Sequence, residues 1–146
     1  MAESAIGWTD AVWNVLAGCS RVSAGCEACY AELLSYRLGL MGQAKYRGLT
    51  RKVGQEVRWT GEVRFVPEAL DLPLRWKRPR RIFVNSMSGL FHEKVTDEQI
   101  AAIFAVMAAA PLHVFQVLTK RPERMLGWCA WLSGLRSRGR MEIRHV

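Results

Sequence analysis

Three of the four cysteines in the chain lie close together near its amino end. Cys19, Cys26 and Cys29 form the pattern Cys-x6-Cys-x2-Cys, whereas Cys129 lies far along the chain. Thiolates that are kept reduced and held this close together usually bind a metal ion or an iron–sulfur cluster. The spacing therefore predicts a metal centre in this segment.

Three interpretations of the cysteine motif remain open from the residues alone. Three thiolates on a [4Fe–4S] cluster leave one iron without a protein ligand, and such an iron can bind a small molecule and pass it an electron. Zinc held by the three cysteines and by His92, His113 or His145 is a second interpretation. In the third, the thiols are reduced bystanders. Cys129 is expected to be a small buried side chain rather than a ligand.

The charge of the chain is strongly positive and unevenly placed. The 21 basic and 13 acidic residues leave a net charge of +8. The basic side chains form three groups: Lys45, Arg47, Arg51, Lys52, Arg58 and Arg64; Arg75, Lys77, Arg78, Arg80 and Arg81; and Arg136, Arg138, Arg140 and Arg144. Together with Trp59 and Trp76, these groups suit a nucleic acid or another polyanion, whose phosphates they would bind and whose bases they would stack on. A solvated surface that keeps the protein soluble is the other interpretation.

Length and composition indicate one globular domain in the cytosol. The chain has 146 residues, of which half are hydrophobic and 23% are charged. Its longest apolar run, residues 100–112, is shorter than the roughly 20 residues that a membrane span needs. The amino end has no basic segment followed by an apolar one, so we expect neither a secretory signal nor a membrane partner.

The spacing of apolar residues predicts alternating strands and helices. The expected strands are residues 11–17, 57–66, 81–87 and 113–118, and the expected helices are residues 26–41, 97–110 and 122 to about 131. Thr96 and Gln99 form a capping box at the start of the second helix, and Pro111 ends it. Proline at position 122 suits the first turn of the last helix.

Strands that alternate with helices favour an α/β fold, a parallel sheet with crossover helices. In such sheets, functional sites form beyond the carboxyl ends of the strands. Cys19 and residues 119–121 each follow a predicted strand, and residues 85–89 lie at the end of another. We therefore expect these three polar segments to meet at one edge of the sheet.

Three long stretches of the sequence resemble a known family. They are GWTDAVWNVLAGCSRVSAGCEACYAE, PLRWKRPRRIFVNSMSGLFHEKV and HVFQVLTKRPERM. The family is an uncharacterised bacterial and phage family, known for its three-cysteine motif and regarded as radical-SAM-like. The resemblance implies a (β/α) barrel of the radical SAM type, partial or complete, with a [4Fe–4S] cluster and S-adenosylmethionine. It covers residues 1–131, and residues 132–146 form a basic tail of uncertain structure.

The resemblance also implies roles for particular residues. The cluster ligands would be Cys19, Cys26 and Cys29. Contacts to the methionine part of S-adenosylmethionine would come from Asn85, Ser86 and Ser88, and further cofactor contacts round the same rim from Thr119, Lys120 and Arg121. The first cysteine gap of six residues differs from the three that are usual in radical SAM enzymes.

A complete barrel of this type takes about 250 residues. We therefore expect a relative truncated at its carboxyl end, with about half a barrel and an exposed sheet edge that favours a partner chain or self-association. The predicted function is a radical-SAM-like iron–sulfur protein acting on an unknown substrate. The alternatives are a non-enzymatic module that binds zinc or nucleic acid, and an inactive remnant.

Overall fold

The computed structural model of the chain describes residues 6–143, with side chains described up to residue 135. His145 and the arginine side chains of the predicted tail lie outside these described residues. The strands, in chain order, are β1 (Ala11–Trp13), β2 (Leu16–Ala17), β3 (Thr50–Val53), β4 (Glu56–Trp59), β5 (Arg64–Phe65), β6 (Arg81–Val84) and β7 (Val114–Val117). The α-helices are α1 (Tyr30–Leu40), α2 (Leu72–Arg75), α3 (Asp97–Ala109) and α4 (Pro122–Ile143), and short 3-10 turns occupy Ala24–Cys26, Ala44–Tyr46 and Pro67–Ala69.

Strands β1, β6 and β7 form a parallel sheet in that order. The register places Val12 beside Phe83, and Phe83 beside Gln116. Helix α3 is the crossover between β6 and β7. The predicted α/β class with a parallel sheet and crossover helices is confirmed. The described residues do not form a closed barrel.

The main core lies between one face of this sheet and helices α3 and α4. Trp13, Ile82 and Val84 on the sheet pack in one cluster with Ile103 of α3 and Trp128 of α4. Full burial of each large apolar side chain contributes roughly 1.5–3 kcal/mol to folding. The core therefore fixes the sheet to its helices and holds the ends of the strands in place.

The capping box of helix α3 is formed as predicted. The Gln99 amide donates to Thr96 Oγ1 at 3.2 Å, and the Thr96 amide donates to Gln99 Oε1 at 3.1 Å. These two bonds satisfy amides that the first turn of a helix otherwise leaves without partners. The helix ends just before Pro111, as expected from the missing amide proton of proline.

The run of residues 11–17, expected to be one buried strand or tight extended segment, is divided into β1 and β2, because the chain leaves the parallel sheet after Trp13. The Leu16 amide donates to the side-chain oxygen of Asn85 at 3.0 Å instead of joining the ladder. Leu16 then pairs with Phe65, so β2 forms a small antiparallel sheet with β5. The segment thereby turns toward the cysteine loop.

The predicted strand at residues 57–66 is likewise divided, into β4 and β5, which belong to two different sheets. Strands β3 and β4 form an antiparallel hairpin that the sequence analysis missed. Its loop is Gly54 and Gln55, and Gly54 has a φ of +61°, a geometry that suits a two-residue hairpin turn. Pairing between β3 and β4 ends at Thr50 and Trp59. The next residue, Thr60, donates its Oγ1 hydroxyl to the Leu49 carbonyl at 3.0 Å.

Other predicted bounds need correction. Helix α1 begins at Tyr30 and not at residue 26, because residues 24–26 form a 3-10 turn. Strand β6 ends at Val84 and not at residue 87, since Asn85 takes a left-handed conformation with φ of +58°. Helix α4 continues past residue 131, for no proline interrupts it after Pro122.

Cys129, expected to be buried, is exposed on helix α4. No helix among residues 6–143 is long and apolar enough to cross a membrane.

Candidate cysteine site at the carboxyl edge of the sheet

A cavity of about 390 Å³ lies at the carboxyl ends of the parallel strands. Its walls include all nine residues that the family resemblance assigned to cluster ligation or cofactor binding: Cys19, Cys26, Cys29, Asn85, Ser86, Ser88, Thr119, Lys120 and Arg121. They do not include His92 or His113, two of the candidate zinc ligands. The expectation that three distant polar segments meet at one edge of the sheet is thus confirmed. The roles of the individual residues remain predictions.

Backbone contacts join the cysteine loop to the end of β6. Gly18 forms a parallel bridge to Ser88, and its amide donates to the Met87 carbonyl at 3.2 Å. Gly18 has a φ of +94°, and a side chain there would collide with the Glu62 carbonyl. Glycine is therefore required at the point where the chain enters the cysteine loop.

Two buried polar groups on the cavity wall lack partners among the described residues. Asn85 is only 3% exposed; its side-chain oxygen accepts the Leu16 amide, while its Nδ2 group has no partner. The buried hydroxyl of Ser88 is also unpaired. Because native structures rarely leave buried polar atoms unpaired, these two groups suit a polar ligand in the cavity.

The thiols of Cys19 and Cys26 differ in acidity. Burial raises the pKa of the Cys19 thiol, although the Arg121 guanidinium lies 3.8 Å from its sulfur and opposes the shift. Burial also opposes ionisation of Cys26. The pKa of the Cys26 thiol is nevertheless lowered, because several nearby groups together outweigh the effect of burial. These groups are the backbone hydrogen bonds from Val22 and Ser23, the Ser23 hydroxyl and the positive charge of Lys120. Cys26 is therefore the more readily ionised thiol of the two.

Lys120 and Arg121 hold opposite ends of the cysteine loop. The Arg121 guanidinium donates to the carbonyl and the hydroxyl of Ser20 at 3.0 and 2.8 Å. The Lys120 ammonium donates to the Gly25 carbonyl, next to Cys26. Both side chains were predicted to contact a cofactor, and that role remains a prediction. In the structure they bind the loop that carries two of the cysteines.

A buried histidine completes the network round Ser20. His92 is fully buried, and its Nδ1 accepts the Lys94 amide at 3.1 Å. In the neutral ring, Nε2 therefore carries the proton and donates to the Ser20 hydroxyl at 2.9 Å. Burial lowers the pKa of His92 despite the nearby charge of Glu93, which favours this neutral form.

The other described histidine lies at the opposite end of the sheet. His113 precedes β7, and its Nε2 lies 3.0 Å from the Pro73 carbonyl. His113 is not among the residues that line the cysteine cavity.

Glu32 is a structural residue of the site that the sequence analysis missed. It is buried in the first turn of α1, where its carboxylate accepts bonds from Arg21 Nε at 3.0 Å and from the Trp59 amide at 3.1 Å. These bonds connect the cysteine loop, helix α1 and the β3–β4 hairpin. Its position in the sequence was a usable signal, because an acidic residue three positions after Cys29 in a mainly apolar helix indicates a buried carboxylate with partners.

The donor chemistry of the site suits a soft metal centre. All three cysteines are free, and thiolates favour iron–sulfur clusters and zinc. Among the described residues, no three His, Cys, Asp or Glu side chains are already grouped closely enough to hold a metal ion.

The geometry defines a mixed α/β protein with a cysteine-lined cavity at the carboxyl edge of a parallel sheet. The chain belongs to the family described as "Protein of unknown function (DUF5131)", whose model matches residues 3–137. It matches no curated protein and no solved structure.

Proposed function

We propose that this protein is a radical-SAM-like iron–sulfur protein. Cys19, Cys26 and Cys29 would ligate a [4Fe–4S] cluster, and S-adenosylmethionine would bind in the same cavity, where the protein acts on an unknown substrate. The observation that carries the proposal is that three free cysteines and the polar ends of two neighbouring parallel strands line one cavity.

The residues present fit this pair of cofactors. Three thiolates are the ligand set that leaves one iron of a [4Fe–4S] cluster open to a small molecule. The unpaired Nδ2 of Asn85 and the unpaired hydroxyl of Ser88 offer hydrogen bonds to a polar ligand beside that position. On this proposal, the sheet of β1, β6 and β7 is the first part of a radical SAM type barrel.

Held by Cys19, Cys26 and Cys29, the cluster would supply the electron for reductive cleavage of a C–S bond of S-adenosylmethionine, with methionine as the leaving group, and the cofactor would supply the capacity to abstract a hydrogen atom from the substrate. The contributions of the chain itself are positional. Arg121 and Lys120 hold the cysteine loop, and Asn85 and Ser88 donate hydrogen bonds to the ligand. A cytosolic location goes with this proposal, because the thiols must stay reduced.

Anaerobic reconstitution with iron and sulfide tests cluster binding. We expect about four irons per chain and the brown colour of an iron–sulfur protein in the wild type. The triple variant Cys19→Ala, Cys26→Ala, Cys29→Ala should lose both. Cys129→Ala is the matched control, because Cys129 is exposed and outside the cavity, and it should load like the wild type.

Equal iron content in the triple variant would refute the ligand assignment. Stoichiometric zinc in the wild type, bound in preference to a cluster, would instead favour the non-enzymatic zinc module.

Product analysis tests the enzymatic part of the proposal. The loaded and reduced protein, incubated with S-adenosylmethionine, should release deoxyadenosine, whereas the triple cysteine variant should not. If the fully loaded wild type releases no deoxyadenosine, the enzymatic part of the proposal is wrong and only cluster binding remains.

A further inference from the structure

A positively charged side chain contacts one of the cysteine sulfurs in the cavity. The Nη1 group of Arg121 lies 3.8 Å from Cys19 Sγ, within hydrogen-bonding distance of a sulfur acceptor. The Arg121 side chain is only 11% exposed, so water screens its charge little. The contact therefore brings a poorly screened positive charge to one of the three proposed cluster ligands.

Neighbouring residues hold Arg121 in this position. Its Nη2 group donates to the carbonyl and the hydroxyl of Ser20, and the buried His92 binds the same hydroxyl. Gly89 leaves room for the guanidinium, because the first side-chain carbon of any other residue there would lie 3.1 Å from Arg121 Nη1 and 3.7 Å from Cys19 Sγ. The space beside the sulfur thus fits this guanidinium.

A carboxylate also pairs with the guanidinium and partly offsets its charge. Glu93 Oε2 lies 3.4 Å from Arg121 Nε, and Glu93 Oε1 accepts from the Ser20 hydroxyl at 3.4 Å. The Glu93 side chain is 64% exposed, so water screens its charge more than that of Arg121. The pair therefore leaves a net positive charge beside Cys19.

The other cations on the cavity wall are placed differently. Lys120 is exposed and donates to the Gly25 carbonyl, and Arg21 forms an ion pair with the buried carboxylate of Glu32. Among the residues whose side chains are described, Arg121 is the cation with a hydrogen bond to a cysteine sulfur.

The family resemblance placed Arg121 among the residues that contact S-adenosylmethionine. In the structure, its Nε, Nη1 and Nη2 groups each have a partner within the protein, in Glu93, Cys19 and Ser20 respectively. This arrangement suits an action on the cysteine ligand more than a direct contact with a second molecule.

We propose that Arg121 raises the reduction potential of the cluster, through its positive charge and its hydrogen bond to Cys19. The inference rests on the proposed function, because it requires a cluster on Cys19. The potential of an iron–sulfur cluster depends on net charge, on hydrogen bonds to its sulfurs and on exposure to solvent. Reduction adds one electron to the cluster without breaking a bond, and a positive charge beside a ligand sulfur stabilises the reduced state.

Redox titration of the reconstituted protein with dithionite, followed by visible absorption, measures this potential without S-adenosylmethionine or any enzymatic activity. Arg121→Gln removes the charge beside Cys19. The ratio of reduced to oxidised cluster, at the midpoint potential of the wild type, should fall about tenfold in this variant. For a one-electron couple, this is a downward shift of about 59 mV.

Glu93→Gln is a second variant, and its expected effect has the opposite sign. It removes the carboxylate that offsets the charge of Arg121, so the potential should rise, by less than Arg121→Gln lowers it because Glu93 is exposed. Loosening of the cysteine loop alone would not shift the potential in opposite directions in these two variants. If Arg121→Gln fails to load, the direction of the shift in Glu93→Gln decides the inference.

Arg124→Gln is the matched control, because it removes the same charge from the first turn of α4, outside the cavity. It should keep the wild-type potential. An unchanged potential in Arg121→Gln, an equal fall in Arg124→Gln, or a fall in Glu93→Gln would overturn the inference while cluster binding stands. A wild type that binds no cluster would overturn the proposed function as well.

Discussion

The two ends of the parallel sheet use their polar side chains differently. At the amino end, Asp10 binds the Arg81 side chain at 2.8 Å and its amide at 2.7 Å, and Thr9 donates to the Arg81 carbonyl at 3.0 Å. At the carboxyl end, Asn85 and Ser88 each have a buried polar atom without a partner among the described residues. The amino end therefore pairs most of its polar groups within the protein, with the buried Nδ1 of His113 as an exception, whereas the two unpaired groups of the carboxyl end face a cavity.

This difference separates residues that stabilise the fold from residues that serve a ligand. A hydrogen bond within the protein contributes about 0.5–1.5 kcal/mol to stability, while a buried donor without a partner costs about 1–3 kcal/mol until a ligand binds it. Substitutions at the amino end should therefore change stability alone. Those at the carboxyl end should change ligand binding, whether or not they change stability.

The largest effect is expected for Asn85→Ala. The substitution leaves the buried Leu16 amide without its acceptor, which costs about 1–3 kcal/mol, and places alanine in a left-handed conformation, which costs about 1–2 kcal/mol more. Chemical denaturation should therefore show a loss of about 2–5 kcal/mol in the free energy of unfolding, together with weaker binding of S-adenosylmethionine.

Ser88→Ala is the matched control for that experiment. It removes a hydroxyl that is buried and unpaired, so the free energy of unfolding should stay the same or rise, while binding of S-adenosylmethionine should still weaken. A Ser88→Ala variant that binds as well as the wild type would contradict the view that these donors are kept for a ligand.

An intermediate effect is expected for Arg121→Gln. The loss of the guanidinium releases Ser20, although His92 still holds its hydroxyl. Losing the hydrogen bonds from Arg121 to Ser20 should lower the free energy of opening the cysteine loop by about 1.5 kcal/mol. Amide hydrogen exchange in residues 19–26 should therefore become roughly tenfold faster. The metal-free protein suits the measurement, which is independent of any enzymatic activity.

Arg124→Gln serves as the control for Arg121→Gln. Arg124 pairs with Asp97 at 2.7 Å and lies outside the cavity. Its loss should leave exchange in the cysteine loop unchanged. Equal acceleration in both variants would show that helix α4 as a whole, and not Arg121, restrains the loop.

Features set by neighbouring residues were accessible from the sequence. The capping box of Thr96 and Gln99 depends on residues three apart, and the runs that became β6 and β7 are short and apolar. The meeting of residues 85–88 with residues 119–121 followed from a general rule, that carboxyl ends of parallel strands share one edge. Cys19 reaches the same edge from β2, which is not part of the parallel sheet.

Features that depend on distant contacts were missed. The bond from Lys120 joins it to Gly25, and that from Asn85 joins it to Leu16. No local pattern marks either pair, so neither the break after β1 nor the anchoring of the cysteine loop was predicted. The hairpin was different, since Gly54 between two four-residue runs was a local turn signal that went unrecognised.

The smallest effect is expected at the amino end, for Asp10→Asn. The Arg81 side chain and amide lower the pKa of Asp10 to about 2. A depressed pKa stabilises the folded state above the unfolded value of about 3.9, and this contribution is lost as the pH falls toward 2. The melting temperature of the variant should therefore lie slightly below that of the wild type at about pH 7, and the two should converge at about pH 2.

The exposure of Asp10 keeps this effect small, because water screens the pair. Iron loading of the Asp10→Asn variant tests whether the amino end of the sheet is independent of the cysteine cavity at the carboxyl end. Asp10→Asn should reconstitute with the same iron content as the wild type, since Asp10 and Arg81 do not line the cysteine cavity. A loss of iron in this variant would mean that the two ends are coupled, and that the amino end is not simply a stabilising region.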